Sequence, residues 1–76
     1  MGGNLLNMSE ADKLFEELGY KLEFEDEISF TLANREKGRY ITFMKDNKTL
    51  MLPCELTIQE LKAITLKCKE LGWIEE

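Results

Sequence analysis

The chain has no histidine, and it has only one proline and two cysteines among its 76 residues. Without an imidazole, one chain lacks the base that Ser–His and Cys–His nucleophilic sites require. It also lacks the glycine-rich loop and lysine that bind nucleotide phosphates. The carboxylates between Glu23 and Glu27 fall on a predicted solvent-facing strand edge and turn, where burial would not raise a carboxyl pKa for acid–base catalysis. We therefore predict that the protein is not an enzyme.

The two cysteines, Cys54 and Cys68, are too few and too far apart for a site. Cys68 falls about three turns into the last predicted helix, which places it on the order of 15 Å along the axis from Cys54 and excludes a disulfide. With no histidine and no Cys-x-x-Cys pair, a zinc site lacks its usual ligands. We predict two buried free thiols and no cofactor or metal.

No apolar run approaches the roughly 20 residues that cross a bilayer, and the start of the chain lacks the features of a signal peptide. We therefore expect a cytoplasmic protein with no membrane contact. Met8 opens the patterned part of the chain, and Gly2-Gly3 is compatible with a ribosome-binding sequence upstream of that methionine. Residues 1–7 are accordingly predicted to be a flexible leader or an expression remnant, and residues 8–76 a single α+β domain.

The first helix is predicted from its two ends. Ser9 followed by Asp12 resembles a capping box, and an apolar stripe with helical spacing then covers residues 10–18. Gly19 can take the left-handed position that ends a helix. The same Glu-Leu-Gly-aromatic ending recurs near the C-terminus, so we predict that both helices end in the same way.

The last helix has the clearest signals. Thr57 and Glu60 form a capping box of the T-x-x-E kind, and Gly72 ends the segment. On a helical wheel, one apolar face is predicted to be buried. It contains Ile58, Leu61, Ile64, Thr65, Cys68 and Leu71.

Between the helices, apolar and polar residues alternate with the period of half-buried strands. Polar turns divide this region into four predicted strands, over residues 20–25, 28–33, 39–45 and 49–52. Within the first strand, Tyr20, Leu22 and Phe24 are predicted to share one face. The fold class that follows is a two-layer α+β fold of order αββββα, with an antiparallel four-stranded meander and both helices packed on one face.

Charge is unevenly distributed along the chain, which totals −5. Residues 8–34 have a net charge of −6, residues 35–54 of +3, and residues 55–76 of −2. The positive stretch follows the third predicted strand and its turns, and its cations are Arg35, Lys37, Arg39, Lys45 and Lys48. Five dispersed cations neutralise few phosphates, so a solvated strand is the favoured interpretation and nucleic-acid binding the alternative.

The acidic side groups can be interpreted in two ways. They could mimic a row of phosphates and block a nucleic-acid-binding host protein, or they could keep the surface soluble and discourage edge-to-edge sheet pairing. The candidates for this acidic patch are Glu16, Glu17, Glu23, Glu25, Asp26 and Glu27.

Four apolar residues are candidates for a protein interface. Met44 and Met51 alternate out of register with the inward residues, so together with Tyr40 they are expected on the uncovered sheet face. Leu66 falls on the polar side of the last helix. If these side chains form one exposed patch, protein binding or a homodimer becomes the leading hypothesis.

The stretch from Leu56 to Trp73, with its Thr-x-x-Glu-Leu-x-Ala-Ile helix and Glu-Leu-Gly-Trp ending, resembles small proteins encoded in phages and prophages of Gram-positive bacteria. The segments Leu14–Tyr20 and Ile41–Thr49 resemble that pattern too, so the likeness covers most of residues 8–74. It implies this fold and a phage setting, and it carries no functional residues. We predict a small non-enzymatic protein-interaction module with an unidentified host or phage partner.

Overall fold

The structure is a computed structural model, and it describes residues 9–74. The predicted leader over residues 1–7 lies outside the described residues. Within the described part of the chain, no helix is long and apolar enough to cross a membrane.

A helix, four antiparallel strands and a second helix follow one another as predicted, so the α+β fold class is confirmed. The bounds agree with the sequence-based ranges to within one or two residues. The elements are α1 (Glu10–Glu17), β1 (Lys21–Glu25), β2 (Ser29–Asn34), β3 (Arg39–Met44), β4 (Thr49–Met51) and α2 (Ile58–Glu70).

Both helices begin on a side-chain cap. Ser9 Oγ accepts a hydrogen bond from the Asp12 N–H at 3.0 Å, while the Asp12 carboxylate accepts from Lys67 of the other helix. In α2 the predicted capping box is complete. The Glu60 N–H donates to Thr57 Oγ1 at 3.0 Å, and the Thr57 N–H donates to Glu60 Oε1 at 2.9 Å. These bonds satisfy first-turn donors that would otherwise have no partner.

Both helices also end alike, as the repeated Glu-Leu-Gly-aromatic motif predicts. Gly19 and Gly72 have φ values of +95° and +78°, which a residue with a Cβ adopts only under strain. In each case the N–H of the following aromatic residue returns to a carbonyl five residues earlier, which is the Schellman arrangement. These bonds run from Tyr20 to Phe15 and from Trp73 to Cys68, both at 2.9 Å.

The four strands form a meander in which each strand pairs with the next one along the chain. Phe30 lies opposite Phe43 and Leu32 opposite Ile41 across the pairing of β2 with β3, and Leu50 of β4 pairs with Phe43 on its other side. All five side chains point to the face that the helices cover, because alternate residues of a strand point the same way.

The core is centred on Phe43, which is fully buried. Its ring stacks on Phe30 with centroids 4.6 Å apart, and it meets Phe15 of α1 edge to face at 6.4 Å. Trp73, just after α2, reaches the same ring at 6.1 Å. One phenylalanine therefore joins both helices to the sheet.

The predicted buried face of α2 is partly wrong. Ile58 is 77% exposed, and Leu61 and Leu71 are also exposed. The buried side chains of this helix are Glu60, Ala63, Ile64 and Cys68. The helix presents its Glu60 side to the sheet because that carboxylate accepts hydrogen bonds from Arg39 on β3 and from Tyr20 just before β1.

The prediction for the cysteines is confirmed for one residue and wrong for the other. Both thiols are free, and Cys68 is buried in the core as expected. Burial raises the pKa of the Cys68 thiol, so it stays protonated at neutral pH. Cys54 is exposed, because it lies in the irregular segment between β4 and α2.

Candidate interaction face

The side of the sheet that faces away from the helices is here called the open face. Strand register assigns its members, since they alternate with the residues that face the helices. They are Lys21, Phe24, Ser29, Thr31, Ala33, Tyr40, Thr42, Met44, Thr49 and Met51.

Three large apolar or aromatic side chains on the open face are more than half exposed. Phe24 is 53% exposed, Tyr40 52% and Met51 62%, and Met44 is half-buried among its neighbours. Tyr40, Met44 and Met51, three of the four residues singled out from the sequence, thus share this face with Phe24. Single exposed apolar residues are common, but several on one flat sheet face are typical of a binding surface.

Phe24 reaches the open face because of an irregularity in β1. Leu22 pairs with Leu32 and Phe24 with Thr31, so Glu23 is an extra residue between two consecutive pairs. This β-bulge reverses the alternation, and the prediction that Leu22 and Phe24 share a face is therefore wrong. Leu22 points to the helix side, and Phe24 points to the open face.

A single row of side chains crosses all four strands of the open face. It runs from Phe24 through Thr31 and Thr42 to Met51. The two threonine hydroxyls hydrogen-bond to each other at 2.9 Å, so the centre of the row satisfies its own polar groups. An incoming apolar surface could cover this row without leaving either hydroxyl unpaired.

Leu66, the fourth candidate from the sequence, does not join this face. It lies in the middle of α2, which packs against the opposite side of the sheet, and it is half-buried. The exposed apolar residues of α2 are instead Ile58 and Leu61 near its N-terminus.

The predicted basic set is divided by ion pairs. Arg35 forms a bidentate ion pair with Glu23. Arg39 donates to both carboxylate oxygens of Glu60, at 2.7 and 2.8 Å. Lys45 donates to Glu25 at 3.1 Å and to the Asp26 carbonyl at 2.9 Å. Three of the five cations are therefore already matched by carboxylates.

The other two cations lie far apart. Lys37 is in the turn between β2 and β3, and Lys48 is in the turn between β3 and β4. Because the six-residue strand β3 separates these turns, they lie roughly 20 Å apart at opposite ends of the sheet. The structure does not bring the basic residues into one patch, which disfavours phosphate binding along this strand.

The acidic set is also divided. Arg35 lowers the pKa of Glu23 through its hydrogen bonds, and Glu25 pairs with Lys45. Asp26 caps the β1–β2 turn by accepting from the Ile28 and Ser29 N–H groups at 2.9 Å each. Those two backbone bonds lower the pKa of Asp26, with that of Ile28 the larger cause. Glu16, Glu17 and Glu27 are exposed. Three of the six candidate acids thus have structural partners, which argues against a free row of carboxylates.

Sequence reasoning missed one polar network, which joins Tyr20, Arg39 and Glu60 between the two layers. The Tyr20 hydroxyl donates to Glu60 Oε2 at 2.7 Å, and the Arg39 guanidinium binds the same carboxylate in a fork and also donates to the Glu55 carbonyl. Burial would raise the pKa of Glu60. The hydrogen bonds from Arg39, the Thr57 N–H and Tyr20 outweigh burial and lower that pKa to about 2.

The geometry of this network indicates that it stabilises the fold and does not catalyse a reaction. Glu60 is buried and accepts four hydrogen bonds, so it is ionised and has no proton to exchange at neutral pH. The pKa of Tyr20 is raised, first by burial and then by the bond to Glu60. The signal in the sequence was the capping box itself, because it fixes where the Glu60 side chain points.

Comparison with known proteins identified no relative of the chain. No family model matches it, and searches of curated proteins and of solved structures found no match either. Across the described residues, no group of three or more cysteines and carboxylates is arranged to hold a metal ion. The resemblance to phage and prophage proteins therefore stays a prediction.

Proposed function

We propose that this protein is a non-enzymatic interaction module that pairs with a second copy of itself through the open face. The observation that carries the proposal is the exposure of Phe24, Tyr40 and Met51 on one face. Burying such side chains is favourable by about 25 cal/mol for each Å² removed from water. The cytoplasm is the compartment we propose, since the exposed Cys54 is a free thiol.

The charges of the open face favour a second copy as the occupant. The chain has a net charge of −5, yet the register-paired positions of the open face include one cation, Lys21, and no carboxylate. Glu23 of the bulge is the acid that adjoins this face, and Arg35 neutralises it, so two copies meeting here bring no unpaired carboxylates together. The face also has no charge pattern that would select a strongly charged partner.

The size of the open face sets the strength we expect. Four strands of five, six, six and three residues, about 4.8 Å apart, give an area of roughly 330 Å² for each copy. Standard interfaces bury about 800 Å² on each partner, and smaller ones are usually transient. We therefore expect a dimer that exchanges rapidly, with a dissociation constant on the order of 10–100 μM.

Two sheets that pack in this way lie about 10 Å apart, with their inner side chains interdigitated. In a symmetric pair, Met51 and Phe24 at the ends of the central row would meet the corresponding row of the partner. If a substitution introduces a carboxylate into that row, the dimer must bury two carboxylates, one from each copy.

The test compares two variants that each add one carboxylate in place of an exposed apolar side chain. Met51→Glu changes the open face, and Ile58→Glu changes the outer side of α2. Sedimentation equilibrium from 10 μM to 1 mM should show dimer for the wild type and for Ile58→Glu. Met51→Glu should stay monomeric over the same range, with an unchanged circular dichroism spectrum.

Two results would overturn the proposal. One is a wild-type chain that remains monomeric at 1 mM. The other is a dimer that Met51→Glu leaves intact and Ile58→Glu dissociates, which would move the interface to α2.

A further inference from the structure

A groove of about 620 Å³ lies on the helix side of the sheet, and Lys21 at the start of β1 also contributes to its lining. The groove forms where α1 and the end of α2 leave β1 and β2 partly uncovered. Its apolar lining consists of Phe15, Leu22, Phe30, Leu32 and Leu71, of which Leu22 and Leu71 are exposed. This volume falls within the range of about 300–1,000 Å³ that is typical of small-molecule sites.

Two lysines reach into this groove over the same aromatic ring. Lys45 Nζ is 5.8 Å and Lys67 Nζ 5.9 Å from the centroid of Phe30. Phe43 stacks on the same ring, and Phe30 and both lysines line the groove. Cation–π attraction to the ring favours both positions.

The cations lie deeper than the carboxylates that hold them. The side chains of Lys67 and Lys45 are 16% and 33% exposed, and those of their partners Asp12 and Glu25 are 43% and 51% exposed. A ligand that enters the groove therefore passes carboxylates at the rim and finds ammonium groups beside the apolar lining.

Each ammonium group also has a donor left over from the bonds that hold it. Lys67 donates to Asp12 at 3.0 Å and to Glu70 at 3.5 Å, and Lys45 donates to Glu25 and to the Asp26 carbonyl. An ammonium has three N–H donors, so one on each lysine is not used in these bonds. The two oxygens of a carboxylate can accept those two hydrogen bonds.

We propose that the groove binds a small amphipathic carboxylate, with its head between Lys45 and Lys67 and its apolar body along Leu22 and Leu71. The ligand would bury the two exposed leucines and would bring a negative charge to two lysines that line the groove. Both changes favour binding, since apolar burial and charge-assisted hydrogen bonds are the two interactions that the groove offers.

The experiment uses decanoate as the probe, titrated into the whole chain and followed by calorimetry and by NMR of the leucine methyl groups. Lys45→Met and Lys67→Met remove one ammonium each and keep the apolar stem. Because a charge-assisted hydrogen bond contributes about 1.5–3 kcal/mol, each variant should raise Kd by about tenfold or more. Lys37→Met, in the β2–β3 turn outside the groove, is the matched control and should leave Kd unchanged.

The Lys67 variant could lose stability, because it leaves Asp12 without its partner. Thermal unfolding of each variant checks this, and Lys45→Arg and Lys67→Arg should restore binding through the retained charge. Decan-1-ol and decylammonium separate the contributions of the head group. We expect both to bind at least tenfold more weakly than decanoate.

Four outcomes would overturn the proposal. Decan-1-ol that binds as tightly as decanoate would indicate an apolar site without anion preference. Tighter binding of decylammonium would mean that the rim carboxylates dominate. Methyl shifts confined to residues outside the groove, or no binding at millimolar decanoate, would exclude the groove as a carboxylate site.

Discussion

Phe24 and Phe43 lie on opposite faces of the same four-stranded sheet. Phe43 is fully buried between the helices and the strands, and Phe24 is half exposed with no described element over it. Strands β2 and β3 contribute side chains to both faces of the sheet. The difference in burial between Phe24 and Phe43 therefore does not come from the composition of the strands. The two helices cover one face only. The comparison shows that this small fold buries one apolar core and leaves the apolar side chains of the other sheet face exposed.

The test with the largest expected effect makes the same truncation on each face of the sheet, Phe43→Ala and Phe24→Ala. Removing Phe43 should cost about 3–5 kcal/mol of the free energy of unfolding, because it empties the centre of the aromatic core. For a chain of this length the total is about 4–11 kcal/mol, so the variant should be close to unfolded. Phe24→Ala should cost about 1 kcal/mol or less.

Urea unfolding at 0.5 μM, well below the expected dissociation constant of the proposed dimer, gives both values. Equal losses in the two variants would mean that Phe24 is covered within a single chain, and the comparison of the two faces would fail.

The second test concerns the polar network on the covered side. The pKa of Glu60 is lowered from 4.5 to about 2 in the folded protein, so its ionised form stabilises the fold by about 3 kcal/mol. That contribution is fully present above pH 4.5, where Glu60 is ionised in both states. It is lost as the pH falls from about 4.5 to about 2, since the unfolded chain takes up the proton first.

Glu60→Gln should therefore lower the free energy of unfolding by about 2–3 kcal/mol at pH 7, and the difference from the wild type should shrink towards pH 2. Urea unfolding of both proteins at intervals between pH 2 and pH 7 measures this convergence. A difference that is independent of pH would show that Glu60 acts only through its shape and its cap.

The smallest effect is expected at the centre of the open face. Thr31→Val removes the hydrogen bond to Thr42 and adds a methyl group in its place, so the free energy of unfolding should change by about 1 kcal/mol or less. Self-association should become several-fold weaker, because covering the face then leaves the Thr42 hydroxyl without its partner, and this costs more than burial of one methyl group gains. Thr65→Val on α2 is the control in the same sedimentation experiment, and it should leave the dimer constant unchanged.

Much of this fold could be predicted from the sequence, because its signals are local. Ser9, Thr57, Gly19 and Gly72 mark the helix ends through backbone rules that need no knowledge of the rest of the chain. The alternation between residues 20 and 52 likewise predicts four strands. The short turns between them make the meander the natural order.

The predictions that were wrong concern features that are determined by contacts between residues distant along the chain. The bulge at Glu23 depends on how β1 pairs with β2, and no residue in Leu22-Glu23-Phe24 indicates it. The buried side of α2 depends on Arg39 and Tyr20, which lie 21 and 40 residues from Glu60 along the chain. Helical periodicity predicts that a glutamate lies on the surface, because the pattern contains no information about partners that are distant along the chain.

The bulge at Glu23 also determines what kind of assembly this protein can build. β1 is one of the two outer strands of the sheet, and a bulged strand presents irregularly spaced N–H and C=O groups to a neighbouring chain. The other outer strand, β4, has only three residues and is followed by Leu52 and Pro53. Neither strand offers a regular template for adding further strands, so both edges of the sheet disfavour growth into a fibre. The proposed association through the open face would occupy that face in each copy, so the assembly would close at two chains.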